Sequence, residues 1–449
     1  IQGKKKKLNR DLVGVASNNQ TMNSLFGVPL SGSLPIVKPA GFKGDIPVPS
    51  GGDIGPAASY GAQQVYMGQL IDFLRADDGT MRHKQRLGGI THATPQIQEQ
   101  APEGRVPLDS WNEFVRKEGP GGYSPGCRPT VLFTGTHDGL IHAFRVDRLK
   151  KLSGDCAEQA VPTVEDEDQG KELWSILPQH LLKQSHSLVS NSMSLMDGLP
   201  VVEDVLLQRS NPTVSDVAEE VGSWKSLLTT GYGKGGKGYI SIDVTHPLDI
   251  ATVNVQWEID NEQRCVNGSC TSAKKGFESD FSKLGFTVSR VAYGTAFIDA
   301  KEVAVAFLPG GDTSDEPSSP DEGRVLYVVR MDTGEKVAEF SNSRGNIRAL
   351  DGGAFKLEYP ITGSPAAYPS MPGAVTSRVF VGDAGGRMWR IDVSSPNPDT
   401  WTMNLFHDPY GPSSPVPASK PDDRQPVMGA PKLALDGPYG HVAVVYGTG

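Results

Sequence analysis

From residue 87 onward the sequence repeats one pattern of short apolar strands, and this repeat restricts the fold more than any other feature. Each unit opens near a small residue that is often followed by proline, and the openings lie at Pro95, Pro200, Val288, Pro365 and Pro431. Apolar and polar residues then alternate with a period of two, which is typical of β-strands. Four such strands, repeated at intervals of variable length, predict an all-β fold made of β-propeller blades.

The strands of each unit can be placed from this alternation and from the glycines that end them. The opening segments lie at 91–98, 196–204, 284–292, 361–369 and 427–435. The second strands lie at 129–135, 225–231, 302–310, 378–382 and 441–447. The third strands lie at 138–147, 237–244, 323–332 and 386–393, and the fourth at 171–178, 253–260, 335–340 and 402–408. The fifth unit stops after its second strand, so we expect about four and a half blades over residues 87–449 and a truncated C-terminal end.

The sequence before residue 87 lacks this pattern. Residues 1–60 combine a lysine run with Gly-, Pro- and Ser-rich sequence. Such a composition buries too little apolar surface to fold alone, which predicts an extended or partly disordered lead-in. Residues 61–86 carry apolar residues at helical spacing and predict a short helical segment on the N-terminal side of the propeller.

Charge and composition exclude two classes of protein. The 43 Lys and Arg residues and 52 Asp and Glu residues give a net charge of −9, which argues against a nucleic-acid-binding protein. No run of apolar residues is long enough to form a transmembrane helix. Because the first residue is Ile1 rather than Met, we expect a cleaved or truncated product, whose export signal would lie outside this sequence.

The four cysteines predict two disulfides. Cys265 and Cys270 are close enough in sequence to form a local bridge. Cys127 precedes one strand of a hairpin and Cys156 follows the other, so antiparallel pairing would bring both to the same end. An even number of cysteines without a C-x-x-C motif fits an oxidising compartment. The alternative is four reduced, buried cysteines in a cytosolic protein.

Two insertions interrupt the repeat and are candidates for binding loops. Residues 148–170, which include an acidic run, lie between the third and fourth strands of the first unit. Residues 261–283 follow the fourth strand of the second unit and carry the local cysteine pair. Loops held on a rigid scaffold are where binding function usually lies.

Three other motifs have a structural interpretation that we prefer to a chemical one. The run Gly231–Gly238 matches G-x-G-x-x-G, but a strand follows it where phosphate binding needs a helix, so we predict a hairpin turn. His137 and His142 flank Asp138-Gly139, which is a turn signal, and metal binding would need further ligands. The acidic loop 312–322 could bind calcium, but its prolines favour a solvated loop.

Five segments of the sequence resemble the PilC/PilY family of type IV pilus assembly proteins and tip adhesins. They lie at 73–97, 131–147, 172–182, 227–247 and 379–394. The most specific parts are the G-x-x-D-G-x-x-H-A-F turn at Gly135–Phe144 and the G-D-x-x-G-x-x-W-R-x-D turn at Gly382–Asp392. The resemblance implies a quinoprotein-like modified β-propeller.

The resemblance also implies a function and a location. Family members act without catalysis at the pilus tip together with minor pilins. There they promote pilus assembly, oppose retraction, and mediate adhesion and surface sensing. We therefore expect an exported protein of the periplasm or outer membrane and of the pilus tip at the bacterial surface. The resemblance names no surface or host receptor.

The sequence departs from the family at its calcium loop. Many members carry alternating Asp and Asn residues just before the V-x-x-G-D strand, but residues 368–378 contain no carboxylate. We therefore expect no calcium at this position and no other cofactor, and we expect the turn to be held by its backbone alone.

Two further functions compete with the pilus function. Residues 329–340 resemble the repeat of quinone-dependent dehydrogenases, whose alcohol-oxidising members stack the cofactor on a disulfide between adjacent cysteines and bind calcium beside it. No adjacent cysteines and no H-E-x-x-H motif occur here, so we expect no enzymatic activity. An outer-membrane assembly scaffold is the other alternative, although such propellers have more compact units.

Overall fold

The regular secondary structure of the described part of the chain consists mostly of β-strands. The structure, a computed structural model, describes residues 87–449 except 121, 147–169, 183, 185–193, 211–216, 249, 267–268, 314–316, 318, 372, 412–422 and 437–440. The predicted lead-in segments 1–60 and 61–86 lie outside the described residues. Within the described ranges, three short α-helices lie between the strands: α1 (Asp109–Arg116), α2 (Gln179–Leu182) and α3 (Val217–Ser223). None of the described helices is long and apolar enough to cross a membrane.

Four sheets follow one another along the chain, and each is one blade. Blade 1 contains β1 (Gln96–Gln98), β2 (Val131–Gly135), β3 (Ile141–Arg145) and β4 (Glu172–Ile176). Blade 2 contains β5 (Val201–Leu206), β7 (Trp224–Gly231), β8 (Gly238–Asp243), β9 (Asn254–Asp260), β10 (Gln263–Val266) and β11 (Ser269–Ser272). Blade 3 contains β12 (Ala292–Ile298), β13 (Lys301–Pro309), β14 (Val325–Arg330) and β15 (Lys336–Ser341), and β6 (Gln208–Arg209) pairs with β13.

Blade 4 has a different outer edge. It contains β17 (Ala366–Tyr368), β18 (Arg378–Gly382), β19 (Met388–Asp392) and β20 (Thr402–His407). The short strand β16 (Ile347–Arg348) pairs in parallel with β20 and covers that strand's outer side. A two-stranded hairpin, β21 (Lys432–Asp436) and β22 (His441–Val445), follows blade 4.

The central strands of blades 2 and 3 are apolar on both faces because each of these blades is packed between two others. In β13, Ala304, Ala306 and Leu308 contact the core shared with blade 2. The alternate residues Val305 and Phe307 belong to the core shared with blade 4. Successive side chains of a strand point to opposite faces, so one period-two pattern supplies two cores.

The three largest apolar cores of the described residues therefore lie at junctions between consecutive sheets. Their aromatic side chains include Phe133 and Trp174 between blades 1 and 2, Trp257 and Tyr327 between blades 2 and 3, and Trp389 and Trp401 between blades 3 and 4. A smaller cluster of Phe380, Met388 and Val427 lies between blade 4 and the last hairpin. Consecutive sheets stacked face to face form a modified β-propeller, so the predicted fold class is confirmed.

The turn at Gly382–Asp392 has a structural role. The carboxylate of Asp383 accepts hydrogen bonds from the backbone N–H groups of Gly385 and Arg387, each at 2.9 Å. Its second oxygen accepts a hydrogen bond from Trp389 Nε1 at 2.9 Å. One buried carboxylate thus closes the turn and orients the tryptophan that fills the core.

The strand predictions agree with the structure except at the opening of the third blade. The segment 284–292 was expected to be its first strand, but that strand is β12, which begins at Ala292. Residues before it connect two blades: Phe286 exchanges backbone hydrogen bonds with Asp312, and Gly233 N donates to the carbonyl oxygen of Thr287. The apolar residues of this segment pack at the junction between blades 2 and 3. Their spacing resembles the period-two alternation of a strand.

Helices α1 and α3 were not predicted from the sequence. Trp111, Phe114 and Val115 of α1 are buried together with Trp224, and the two tryptophan ring centroids lie 4.9 Å apart. Their i, i+3, i+4 spacing is a helical signal, but it lies in a region where period-two alternation dominates. The aromatic cluster covers the start of β7.

Candidate interaction site

The insertion 261–283 begins with a hairpin that extends blade 2 by two strands. In this hairpin Cys265 of β10 lies directly opposite Cys270 of β11, and the two form a disulfide, as the sequence predicted. Cys265 is buried, whereas Cys270 and the two serines of β11 are exposed. The insertion therefore presents an exposed strand that is covalently tied to a buried one.

The second predicted disulfide can be followed at one end only. Cys127 is disulfide-bonded and lies buried before β2. Its predicted partner, Cys156, lies outside the described residues. The pairing of Cys127 with Cys156 stays a prediction, and so does any role of the acidic insertion 148–170, of which only residue 170 is described.

The base of the hairpin is hydrogen-bonded to the turn that follows β14 in blade 3. Arg264 of β10 donates a hydrogen bond from Nη1 to the carbonyl oxygen of Thr333, at 2.7 Å, in the turn after β14. The backbone N–H of Ala273 donates to the carbonyl oxygen of Glu262, at 2.8 Å, which continues the ladder below the disulfide. The Arg264 contact holds the hairpin against blade 3, and neither contact uses the outer side of β11.

A buried polar network lies behind the hairpin. The carboxylate of Glu258, in β9, accepts hydrogen bonds from the backbone N–H groups of Gln179 at 3.1 Å and His180 at 2.9 Å, at the start of α2. Tyr232 donates its hydroxyl proton to the same carboxylate, at 2.8 Å. Burial, and then the charge of Glu258, raises the pKa of Tyr232 well above its usual value. Nδ1 of His180 also contacts the carboxylate of Asp260, so the segment after blade 1 is bonded to blade 2 beneath the hairpin.

The second half of the same insertion covers the outer strand of blade 3. Lys336 Nζ, on β15, donates hydrogen bonds to the carbonyl oxygen of Asp280 at 2.5 Å and to Glu339 Oε2 at 2.7 Å. The ring centroid of Phe277 lies 4.3 Å from the same nitrogen. Lys283 of the insertion contacts the other oxygen of Glu339 at 2.8 Å. One carboxylate thus binds a lysine from the strand and a lysine from the segment that covers it.

The pKa values of this cluster follow from its burial and its charges. Burial lowers the pKa of Lys336 from its usual value, and the opposing effect of Glu339 only partly offsets this. Burial alone would raise the pKa of Glu339, but the charge of Lys336 and the hydrogen bonds from both lysines outweigh it and lower that pKa to about 2. Glu339 is therefore ionised at neutral pH.

The glycine-rich run Gly231–Gly238 is a turn between β7 and β8, as predicted. Gly233 has a φ of +64°, which favours glycine. A Cβ atom at Gly235 would lie 2.1 Å from the backbone carbonyl oxygen of Leu195, so the close approach of two backbones requires glycine there too. Because a strand and not a helix follows, no helix N-terminus is available for a phosphate.

The two lysines of this turn pair with the acidic loop 312–322. Lys234 forms an ion pair with Asp312. Lys237 Nζ lies 2.8 Å from Oε2 of Glu322, whose side chain is fully buried. The two ends of the acidic loop therefore face lysines of blade 2. Among the described residues no three His, Cys, Asp or Glu side chains are grouped so that they could hold a metal ion.

His137 and His142 do not share a site. His142 is buried between the hydroxyl of Thr136, 3.0 Å from Nε2, and the carboxylate of Glu172, 2.7 Å from Nδ1. His137 lies at the turn surface, with Nε2 2.8 Å from Thr91 Oγ1. Asp138-Gly139 forms the turn between β2 and β3, as interpreted from the sequence, and His142 is a buried residue of β3.

A pair that the sequence did not reveal lies beside His137. Asp197, which is buried before β5, accepts a hydrogen bond from the backbone N–H of His92 at 2.8 Å and contacts Nδ1 of the same histidine at 2.5 Å. His137 Nε2 lies 3.8 Å from the same carboxylate. The contact joins residues more than a hundred positions apart, which no local motif could predict.

The turn 368–378 differs from the expectation that its backbone alone would hold it. Thr376 is fully buried; its hydroxyl donates to the carbonyl oxygen of Pro369 at 3.1 Å and accepts from the backbone N–H of Thr295 at 3.2 Å. A second hydroxyl, that of Ser377, donates to the carbonyl oxygen of Tyr368 at 3.2 Å. The segment offers only hydroxyl and carbonyl oxygens, with the cation of Arg378 at its end, and this set does not fit calcium.

Comparison with known proteins gives relatives over most of the chain. A "Type IV pilus biogenesis factor PilY1 homolog" of Xylella fastidiosa is 23% identical over 408 residues, which cover 85% of this chain and 23% of the relative. The "Type IV pilus biogenesis factor PilY1" of Pseudomonas aeruginosa strain UCBPP-PA14 is 21% identical and covers 85% of this chain and 29% of the relative. The chain thus spans about a quarter of the length of the curated relatives that it matches.

Among solved structures, the crystal structure of the Pseudomonas aeruginosa PilY1 C-terminal domain matches with a TM-score of 0.43 and 18% identity. The match covers 72% of this chain and 53% of that one. No protein-family model matches the sequence. These relatives bear one name, and the turn motifs at Gly135–Phe144 and Gly382–Asp392 resemble the same family, so the comparisons support the assignment of this chain to the PilC/PilY family.

Proposed function

We propose that this chain acts in type IV pilus biogenesis as a non-enzymatic pilus-tip adhesin, which promotes pilus assembly and controls retraction together with minor pilins. The observation that carries the proposal is the match, over 85% of the chain, to relatives named type IV pilus biogenesis factor. The adhesin role and the minor pilin partners come from the family resemblance.

The architecture is compatible with a binding role. Four sheets share their cores and form a rigid support, and the insertion 261–283 projects from it as a crosslinked hairpin. Binding residues are concentrated on segments that a rigid scaffold positions. The disulfide also fits the proposed location, since disulfides persist in the periplasm and at the cell surface.

The main alternative is a quinone-dependent dehydrogenase. Alcohol-oxidising quinoproteins stack their cofactor on a disulfide between adjacent cysteines. The disulfide of this chain joins Cys265 and Cys270 at the outer edge of blade 2, on strands added beyond the fourth. This position favours a structural crosslink over a cofactor platform.

The proposal can be tested by deleting the gene in its own organism and restoring it in full length. We expect deletion to abolish surface pili and twitching motility, and complementation to restore both. In a retraction-deficient background that still makes pili without the gene, we expect adhesion to fall although pili are present. Normal piliation and adhesion after deletion would refute the proposal.

The enzymatic alternative needs a separate measurement. The purified full-length protein is incubated with pyrroloquinoline quinone, calcium and primary alcohols or aldoses, and reduction of an artificial dye is followed. We expect no reduction above that of the quinone alone. Substrate-dependent dye reduction would favour the dehydrogenase and refute the non-enzymatic part of the proposal.

A further inference from the structure

We propose that the exposed edge of β11, Ser269–Ser272, is a docking strand that pairs by β-strand addition with an extended segment of a minor pilin. The inference rests on the proposed function for the identity of the partner. It adds the surface, the mode of binding and the backbone atoms that make the contact.

The register of the hairpin identifies which backbone groups face outward. The Cα atoms of Cys265 and Cys270 lie 3.9 Å apart, which marks a pair without mutual backbone hydrogen bonds. The hydrogen bond from Ala273 N to the carbonyl oxygen of Glu262 agrees with this register. Because the pattern alternates, the N–H and C=O groups of Cys270 and the N–H group of Ser272 point away from β10. The C=O group of Ser272 accepts the first hydrogen bond of the 3-10 helix that begins at Ala273. No described residue bonds to the other three outward groups.

The outer edges of the next two blades are covered by the chain itself. In blade 3, the outward carbonyl oxygen of Glu339 accepts a hydrogen bond from Asn346 Nδ2 at 2.8 Å, and β15 is buried along most of its length. In blade 4, β16 pairs with the outer side of β20. An unpaired edge is a template for another strand, and the chain removes this template in blades 3 and 4 but presents it in blade 2.

The edge is rigid before any partner binds. The disulfide fixes β11 to β10, and Arg264 fixes β10 to the carbonyl oxygen of Thr333. A strand that is already held in its bound conformation loses little conformational freedom on binding, so its backbone hydrogen bonds translate more fully into affinity. The sequence Ser-Cys-Thr-Ser also lacks the lysines and prolines with which proteins usually block an exposed edge.

These properties select an extended strand as the occupant. Cys270 offers one N–H and one C=O, and Ser272 offers one N–H, in the geometry of a sheet edge. A helix satisfies its own backbone groups and could not use them, whereas a strand could complete a seventh position in the sheet. The small side chains of β11 permit close approach of a second backbone.

One position allows a sharp test. Ser272 has φ −62° and ψ 143°, which proline can adopt without strain, and its N–H faces outward. Ser272→Pro removes that donor and places a ring on the docking side. Its hydroxyl also accepts a hydrogen bond from Lys274 N, so Ser272→Ala, which loses the hydroxyl but keeps the N–H, is the matched control.

Both variants of the full-length, oxidised protein are titrated against the soluble domain of each minor pilin of the same organism. We expect Ser272→Pro to weaken binding by about tenfold or more and Ser272→Ala by less than about twofold. Equal binding by wild type and Ser272→Pro would overturn the docking strand and leave the proposed function intact. If no minor pilin binds the wild type, the partner in the proposed function fails, and the docking inference fails with it.

A second measurement covers the case in which Ser272→Pro misfolds. Amide hydrogen exchange of the wild-type protein is compared with and without the pilin that binds. We expect exchange at Cys270 and Ser272 to slow in the complex, whereas Ser269 and Thr271, already paired within the hairpin, change little. Unchanged exchange at Cys270 and Ser272 would overturn the inference.

Discussion

The insertion 261–283 contacts the outer edges of both blade 2 and blade 3, but it leaves the first edge exposed and covers the second. Its first half adds a hairpin to blade 2, fastens it with a disulfide and leaves β11 exposed. Its second half covers β15 of blade 3 through Lys283 and Phe277, which surround the Lys336–Glu339 ion pair. In blade 2 the disulfide leaves the outward backbone groups of β11 exposed. In blade 3 the segment that contributes Lys283 and Phe277 to the charge cluster buries β15.

The two edges are stabilised by different interactions, a disulfide in blade 2 and a buried ion pair in blade 3. A buried ion pair is sensitive to the loss of either charge, because the remaining charge is then buried without a partner. A disulfide between neighbouring strands depends on the redox state and not on the charge of its surroundings. The two edges of one propeller should therefore respond to different perturbations.

The largest effect is expected from Glu339→Gln. The substitution leaves Lys336, which is almost fully buried, without its carboxylate, and we expect the free energy of unfolding to fall by about 3 kcal/mol. Urea denaturation measures it. Glu335→Gln is the control, since this half-exposed carboxylate lies 3.8 Å from Arg264 and should contribute less than about 0.5 kcal/mol. Equal losses of unfolding free energy in both variants would show that the buried ion pair stabilises the protein no more than an exposed one.

Acid should reproduce part of this loss. The pKa of Glu339 is lowered from 4.5 to about 2, so its contribution to stability is complete above the unfolded value and is lost as the pH falls from about 5 towards 2. We expect the stability difference between wild type and Glu339→Gln to shrink over this range. A difference that stays constant between pH 6 and pH 3 would contradict the assignment.

A smaller and more local effect is expected from the double substitution of Cys265 and Cys270 by serine. Closing so short a loop contributes about 2 kcal/mol by chain entropy. We expect faster amide exchange within the hairpin and unchanged exchange in β15. Because the crosslink carries no charge, its effect should not vary between pH 6 and pH 4. Loss of protection in β15 as well would mean that the two halves of the insertion are not independent.

The smallest effect is expected from chelation. The turn 368–378 is held by the hydroxyls of Thr376 and Ser377 and has no carboxylate, so a chelator should leave the melting temperature unchanged. A drop that Asp312→Asn abolishes would move calcium to the acidic loop 312–322. A drop that Thr376→Val abolishes would place it in the turn after all.

The sequence predicted the strands better than it predicted their contacts. Period-two alternation and terminal glycines depend on local geometry, so β7, β14 and β18 lie where expected. The pairing of Lys237 with Glu322 joins positions 85 apart, and that of Lys283 with Glu339 joins positions 56 apart. Such pairs depend on which blades become neighbours and leave no trace in local spacing.

The candidate site was predicted in part. The Cys265–Cys270 spacing indicated a local bridge, and the position after a fourth strand indicated an insertion. That the insertion would continue the sheet could not be deduced, because β10 and β11 contain few apolar residues and resemble loop sequence. The exposure of Cys270 and Ser272 depends on how the second half of the insertion turns away towards blade 3.

The placement of the cores at the junctions has a consequence for inheritance and engineering. Because β13 sends alternate side chains into two different cores, a blade has no interior of its own and is not a portable module. If a single blade were replaced by that of a relative, both of its faces would be mismatched with the neighbouring blades. Exchange of several consecutive blades keeps the cores between the exchanged blades intact and mismatches only the two junctions at the ends of the block, so longer blocks should be tolerated better, for each blade exchanged, than a single blade.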